Sequence, residues 1–322
     1  MSEQSPYSDL SSREAFGKVL AQIGEEYGNI FALSADLASS VKLDDFISKF
    51  PERFINFGVA EQNMMGAAAG LTLAGKIPFA CTYAVFSSMR ACEQVRTDIA
   101  YNGLPVRIIS THSGISFGIA GATHHAIEDI GIFRGMPNMS VFSPADAVET
   151  AAIIRAIMDT AGPVYVRLSR VKEKSVYEHE FNYRVGQPDL IRAGKDLILI
   201  ATGAEVGEAK ETMHLLQDDG VNAGLLNISS IKPIDEQALV DILREYPAAM
   251  TIEQHNIING LGSAIAEIIA QNNLNIRFLP HGLKDIFTTS GPYKELLHHY
   301  QLDSLGIYDI AKSFIEKTPE II

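Results

Sequence analysis

Met139-Ser-Val-Phe-Ser-Pro-Ala-Asp-Ala-Val-Glu-Thr-Ala-Ala-Ile-Ile-Arg-Ala-Ile-Met-Asp-Thr-Ala-Gly-Pro-Val-Tyr-Val-Arg-Leu168 holds a strand, a helix and a second strand in one run. Met139-Ser-Val-Phe142 and Val164-Tyr-Val-Arg-Leu168 are short apolar runs of the kind found in buried strands, and the residues between them carry a helical pattern. Ser143-Pro-Ala-Asp146 predicts the helix start, with a serine cap, proline at the first helical position and an acid in the first turn, and the helix is expected to run to about Asp159. Upstream, Val106-Arg-Ile-Ile-Ser-Thr111 reads as another strand. Downstream, Leu197-Ile-Leu-Ile-Ala201, Ala223-Gly-Leu-Leu-Asn-Ile228, Met250-Thr-Ile-Glu253 and Ile276-Arg-Phe-Leu279 alternate with helical stretches near 204–218, 235–246 and 261–272. Continuous apolar strands alternating with helices predict an α/β fold of two doubly wound domains, with helices on both faces of each sheet. From Lys172 to about Gln187 the pattern dissolves into charged and aromatic residues, which predicts a linker and domains spanning 1–185 and 186–322. Thr202-Gly-Ala-Glu205 reads as a strand-to-helix turn with a structural role, far short of a dinucleotide fingerprint. No internal repeat or low-complexity tract interrupts the chain.

The composition narrows the function. A chain of 322 residues with 47% hydrophobic and 20% charged positions has material for a large core. A net charge of −13, with no Lys/Arg run, argues against nucleic acid as a partner. Cys81 and Cys92 have no metal-site spacing and make no disulfide framework. With the polar start Ser2-Glu-Gln-Ser-Pro and no apolar run of about twenty residues, the sequence predicts a reduced, cytoplasmic protein that does not span a membrane.

Several residues lack an obvious structural purpose. Glu61 leads from Phe57-Gly-Val-Ala60 into the helical run Gln-Asn-Met-Met-Gly-Ala-Ala-Ala-Gly70, where small side chains can pack closely enough to exclude water from a carboxyl. The plainer alternative is an acid that only starts a buried helix. His112 and His124 lie on the glycine-spaced loop Thr111 to His125, directly after a strand, where ligands of parallel sheets collect; each could relay a proton or simply cap a turn. The adjacent pair His124-His125 does not suit a metal site. Tyr83, Phe86 and Met89 recur at three-residue spacing and would share a helical face, either as core or as a slot for a flat heterocycle. Arg170, with Arg13 and Ser40, could bind a phosphate through charge-assisted hydrogen bonds, or the arginines could pair with surface acids.

Taken in order, Ser34-Ala-Asp-Leu37, Gly58-Val-Ala-Glu-Gln-Asn-Met64, Phe86 with Arg90, Thr111-His-Ser-Gly114, Gly121 to His124, Ile127-Glu-Asp129, Phe133-Arg-Gly-Met-Pro-Asn138, Ser143-Pro-Ala-Asp146 and Ile231-Lys-Pro-Ile-Asp235 resemble transketolase from about residue 10 to the end. The resemblance is to the pyrimidine-binding and C-terminal domains, and the length is similar to the smaller polypeptide of transketolases split into two subunits. It implies thiamine diphosphate and Mg2+ as cofactors. The Gly-Asp-Gly motif that holds the Mg-diphosphate in such enzymes is missing from these 322 residues. The resemblance therefore implies an N-terminal partner subunit that carries it, an α2β2 assembly, and no turnover by either half alone.

Carried over position by position, Glu61 would hydrogen-bond the cofactor's pyrimidine ring nitrogen. Tyr83, Phe86 and Met89 would line the pyrimidine, with Asp36 nearby. His112 and His124 would contact substrate oxygens, and Arg13, Ser40, His112 and Arg170 would grip a terminal phosphate. The chain departs from the family at two positions. Ala120, in Gly118-Ile-Ala-Gly121, stands where many transketolases carry an aspartate that hydrogen-bonds a sugar hydroxyl, and Met89 replaces a common tyrosine. Loss of a hydroxyl partner changes which sugars a site accepts, so a modified sugar (branched, deoxy or sulfonated) becomes a candidate beside ordinary ketose phosphates. Two other readings are a 2-oxoacid dehydrogenase of the two-chain type, in which this chain would be the beta subunit, and a non-catalytic regulatory subunit. The loop from His112 to His125 followed by Ile127-Glu-Asp129 favours transketolase over the first, and the presence of Glu61, both histidines and the phosphate contacts weighs against the second.

Overall fold

The computed structural model describes residues 4–316, so Ser2 and Glu3 of the polar start lie outside it. Its strands are β1 (Ile30–Ser34), β2 (Phe54–Asn56), β3 (Ile77–Tyr83), β4 (Arg107–Thr111), β5 (Ser140–Phe142), β6 (Val164–Arg167), β7 (Asp189–Arg192), β8 (Leu197–Ala201), β9 (Ala223–Asn227), β10 (Ser230–Lys232), β11 (Ala248–Asn256) and β12 (Arg277–Leu283). They form a seven-stranded sheet in the order β10-β5-β6-β4-β3-β1-β2 and a five-stranded sheet in the order β12-β11-β8-β9-β7. Pairing is parallel except at β10 against β5 and β7 against β9.

Alternation along the strands explains why helices cover both faces. In the first sheet Ala32 and Ile109 pack into one core with Phe16, Leu20 and Ile154 from the helices Ser12–Glu26 and Ala147–Ala156. Their neighbours Leu33 and Ile108 pack into the opposite core with Met64, Met65 and Ala68 from the helix Glu61–Leu73. The second sheet repeats this: Leu197 and Leu199 face Val206 and Ile307, while Ile198 and Ile200 face Leu239 and Leu261. Each fully buried side chain of this size contributes about 1.5–3 kcal/mol, so a strand with one apolar face exposed would be strongly disfavoured. The doubly wound α/β architecture expected from the sequence is the architecture of the chain.

Two details differ from the sequence expectation. The helix in the opening stretch begins at Ala147, and its cap is Asp146, whose carboxylate accepts the Glu149 N–H at 3.0 Å. Ser143 does not cap it: it lies three residues before the cap with its buried Oγ unpartnered, and its backbone is tied to a neighbouring segment, the N–H donating to Ser229 O at 2.8 Å and the carbonyl accepting from Gly203 N–H at 3.2 Å. The other Asp146 oxygen accepts the N–H groups of Val176 and Tyr177, both at 2.8 Å, so the irregular segment after Lys172 is tied to this helix start. In addition, one strand crosses from the later half of the chain into the first sheet. Strand β10, from the second half of the sequence, closes the edge of the first sheet, and Lys232 donates to Arg134 O at 3.0 Å beside it. A three-residue strand is too short to show periodicity.

Candidate active site

The carboxyl ends of the parallel strands deliver the site. Tyr83 ends β3 and Thr111 ends β4, and the two are register partners, so Tyr83 and His112 become neighbours. The chain turns off β4 with His112 at φ 61°, a left-handed conformation unusual for a residue other than glycine. The Tyr83 and His112 rings lie 3.9 Å apart between centroids. Phe117 meets Tyr83 edge-on at 5.6 Å and His112 at 4.6 Å, and it touches His124 at 5.4 Å. Phe86 stacks on Tyr83 at 5.7 Å and meets His124 at 5.4 Å. Tyr83, Phe86, His112 and His124 are therefore drawn together, with Phe117 at the centre. The sequence reading does not single out Phe117, although it is the sole aromatic between His112 and His124.

Tyr83, Phe86 and Met89 do not form the expected helical stripe. Tyr83 belongs to a strand, and Phe86–Arg90 is a π-helical turn. Met89 is 46% exposed and takes no part in the ring cluster. Wide turns of this kind re-aim side chains and are frequent at functional sites. Here the turn brings the Arg90 guanidinium over the Phe86 ring, 4.1 Å from its centre. Arg90 Nη1 also donates to Glu61 Oε2 at 2.8 Å. Glu61 opens its helix as expected and is 1% exposed, so its carboxylate needs a positive or N–H partner.

A cationic corner adjoins the rings. Glu14 reaches back to accept the Ser11 N–H at 3.0 Å, fixing the first helical turn that carries Arg13. Arg13 Nη1 donates to Ser40 O at 3.1 Å, while its buried Nε has no partner. The Ser40 hydroxyl lies 2.7 Å from the Tyr83 hydroxyl. Arg170 sits over Phe117 at 5.2 Å, held by its backbone N–H on Ser116 Oγ at 3.1 Å. Burial, then the charge of Arg170, pushes the Arg13 guanidinium below the usual arginine range. Burial, followed by Arg13, Arg170 and His124, pushes His112 down to about 3, so its imidazole is neutral at ordinary pH. Two neighbouring guanidiniums, one of them partly buried, beside a histidine kept neutral first by burial and then by their charge describe a corner that suits an anion.

The glycine loop is braced from the second half of the chain. A Cβ on Gly121 would lie 2.3 Å from Ser290 Oγ, and one on Gly118 2.8 Å from Gly291 O; both residues have positive φ, so only glycine fits. His125, which is buried, bonds Thr288 Oγ1 at 2.6 Å and Gly118 O at 3.1 Å. Ala120 lies in the short turn Gly118–Ala120 that this bracing holds. Asp36 stands apart, exposed, with its N–H on Asn56 Oδ1 at 2.9 Å.

The residues present fit the pyrimidine end of thiamine diphosphate: Glu61 and the face of Phe86 already hold a flat N–H cation, the Arg90 guanidinium. Among the described residues no three His, Cys, Asp or Glu side chains gather as a metal-binding group.

Residues 8–173 match the family model of the transketolase pyrimidine binding domain, and residues 186–307 that of the transketolase C-terminal domain. The chain is 43% identical over 307 residues to a Methanocaldococcus jannaschii protein named as a putative transketolase C-terminal section, covering 95% of each. It is 34% identical to one of the subunits of the apulose-4-phosphate transketolase of Phocaeicola vulgatus, covering 96% of this chain and 98% of the relative. A 6-deoxy-6-sulfo-D-fructose transketolase subunit of a Clostridium species is also 34% identical, with 95% and 94% covered. A solved structure described as a split gene transketolase, inactive beta4 tetramer, superposes with a TM-score of 0.87 at 40% identity, covering 95% of this chain and 98% of that one.

Proposed function

Since this chain belongs to the transketolase family, as the C-terminal section of a split enzyme, we propose that it joins an N-terminal partner carrying the Gly-Asp-Gly site to transfer a two-carbon ketol unit from a ketose phosphate to an aldose. The observation that carries this reading is the joint placement of a buried carboxylate, an aromatic cluster and a cationic corner. Glu61 and Phe86 stand at one end of the Tyr83–His112–Phe117–His124 cluster, and Arg13 and Arg170 adjoin it. Bound thiamine diphosphate would supply the electron sink that stores the two-carbon fragment.

The residues of this chain do the rest. Glu61 holds the pyrimidine ring nitrogen, and Phe86 with Tyr83 presents an apolar face to the ring, with Met89 and Asp36 at the rim. Neutral His112 donates or accepts a hydrogen bond at a substrate oxygen without bringing charge, and His124 covers the other side. Arg13, Ser40 and Arg170 take the anionic terminus. Diphosphate and Mg2+ ligands belong to the partner, and an α2β2 assembly in the reducing cytoplasm suits a half-site with two free cysteines.

Ala120 supports a substrate outside the ordinary pentose phosphates, since the loop that many transketolases use to read a hydroxyl carries only a methyl group here. Relatives named for an apulose phosphate and for a deoxysulfo sugar support the same reading. The test is ketol transfer by the reconstituted pair over phosphorylated, sulfonated and neutral sugars. Anionic sugars are expected to be used and neutral ones not, and equal use of both would overturn the reading of the cationic corner.

A further inference from the structure

Arg90 claims both contacts that the proposed function assigns to the pyrimidine. Its Nη1 donates to Glu61 Oε2 at 2.8 Å, and its planar guanidinium covers the Phe86 ring at 4.1 Å. A guanidinium is a flat array of carbon and N–H groups carrying positive charge. A protonated aminopyrimidine presents the same features: a flat face for the aromatic ring and an N–H for the carboxylate. We infer that Arg90 is a residue of the cofactor site that stands in for the pyrimidine in the cofactor-free chain and is displaced when the pyrimidine arrives. The inference rests on the proposed function and extends it to a residue with no role there.

Three observations carry it. Glu61 is 1% exposed, so without a cofactor its carboxylate would be buried and unpaired, and Arg90 removes that penalty. The Arg90 side chain is 42% exposed, so it reaches in from the rim and can leave without disturbing a core. Finally, it is carried by the π-helical turn Phe86–Arg90, whose closing bond, Ala91 N–H to Phe86 O at 3.1 Å, sets Phe86 and Arg90 on the same side. Displacement exchanges one planar cation for another on the same carboxylate, so the buried charge is never left alone.

The consequence is competition. Thiamine, which carries the pyrimidine and thiazolium but no diphosphate, needs no partner-borne metal site and is therefore the probe for the isolated chain. Replacing Arg90 by Met removes the competitor and leaves Glu61 seeking a cation, so thiamine affinity is expected to rise about fivefold, the upper end of what a partly exposed ion pair resists. Arg90→Lys keeps a counter-charge for Glu61, which protects folding, but an ammonium cannot cover Phe86 with a planar face, so affinity is expected to rise less. Binding would be followed by calorimetry or ligand-detected NMR, with unfolding curves as the folding control and Glu61→Gln as the reference for loss of the site. Thiamine binding that is abolished by Glu61→Gln yet unchanged or weaker in both Arg90 variants overturns the inference alone. Binding indifferent to Glu61→Gln, or absent from every form, overturns the cofactor reading and the inference with it.

Discussion

The ring of Tyr83 lies against that of His112 with centroids 3.9 Å apart, and its hydroxyl is 2.7 Å from Ser40 Oγ, so one side chain couples the aromatic cluster to the cationic corner. Tyr83→Phe keeps the ring contact and removes the link to Ser40. The expected result in the reconstituted enzyme is a loss of about 0.5–1.5 kcal/mol in kcat/KM for an anionic substrate, the size of one hydrogen bond, with the unfolding curve little changed. An unchanged specificity constant would show that the Ser40 hydroxyl takes no part in substrate binding.

His112 should not titrate near neutrality. Its folded-state value of about 3 lies below the 6.5 of an unperturbed imidazole, so the unfolded chain binds the extra proton first. The contribution of His112 to stability is therefore full above about pH 6.5 and is lost progressively as pH falls toward 3. Stability should fall less steeply over that window in His112→Asn than in wild type. NMR titration of the ring protons gives the direct check: neutral-form shifts down to about pH 5 are expected, and a midpoint near 6.5 would contradict the burial argument.

Arg170→Ala removes one of the two guanidiniums of the cationic corner. It should weaken use of the anionic substrate by about 1.5–3 kcal/mol, the range for a hydrogen bond to a charged group. Ala120→Asp should instead move preference toward ordinary ketose and aldose phosphates. Specificity constants over a sugar panel measure both, and a substrate ranking unmoved by Ala120→Asp would show that this loop does not read hydroxyls.

Asp146 serves three backbone N–H groups, those of Glu149, Val176 and Tyr177. Asp146→Ala should cost about 2–4 kcal/mol in denaturant unfolding, a lost helix cap plus one buried and one partly buried donor left unpaired, and Asp146→Asn should recover part of that. A loss near zero would mean that water replaces the carboxylate.

The architecture is legible in the sequence because β8 is a continuous apolar run, β4 and β9 carry apolar centres, and the connecting helices are long enough to show a period. The cap of the helix Ala147–Ala156 is not, because Ser143, ahead of the cap, is tied instead to Ser229 and Gly203, contacts from far along the chain that no local pattern encodes. The same holds for the site. His112 and Arg170 are legible from their positions at strand ends and by resemblance, and Tyr83 by resemblance alone, since its spacing with Phe86 and Met89 reads as a helical face rather than a strand end. The role of Phe117 as hub and the grip of Arg90 on Glu61 depend on how a glycine loop and a π-helical turn fold, and neither leaves a periodic signature. His125 reads in the sequence only as a neighbour of His124, because its partner Thr288 is 163 residues away.

Whether this chain is half of an active site is decided most directly by a titration of thiamine diphosphate with Mg2+. It is run on the purified chain and on its mixture with the Gly-Asp-Gly partner, with ketol transfer assayed in both. Weak binding and no turnover are expected from the chain alone, and tight Mg-dependent binding with turnover from the mixture. Tight Mg-dependent binding and full turnover in verified absence of a partner would contradict the split-site assignment.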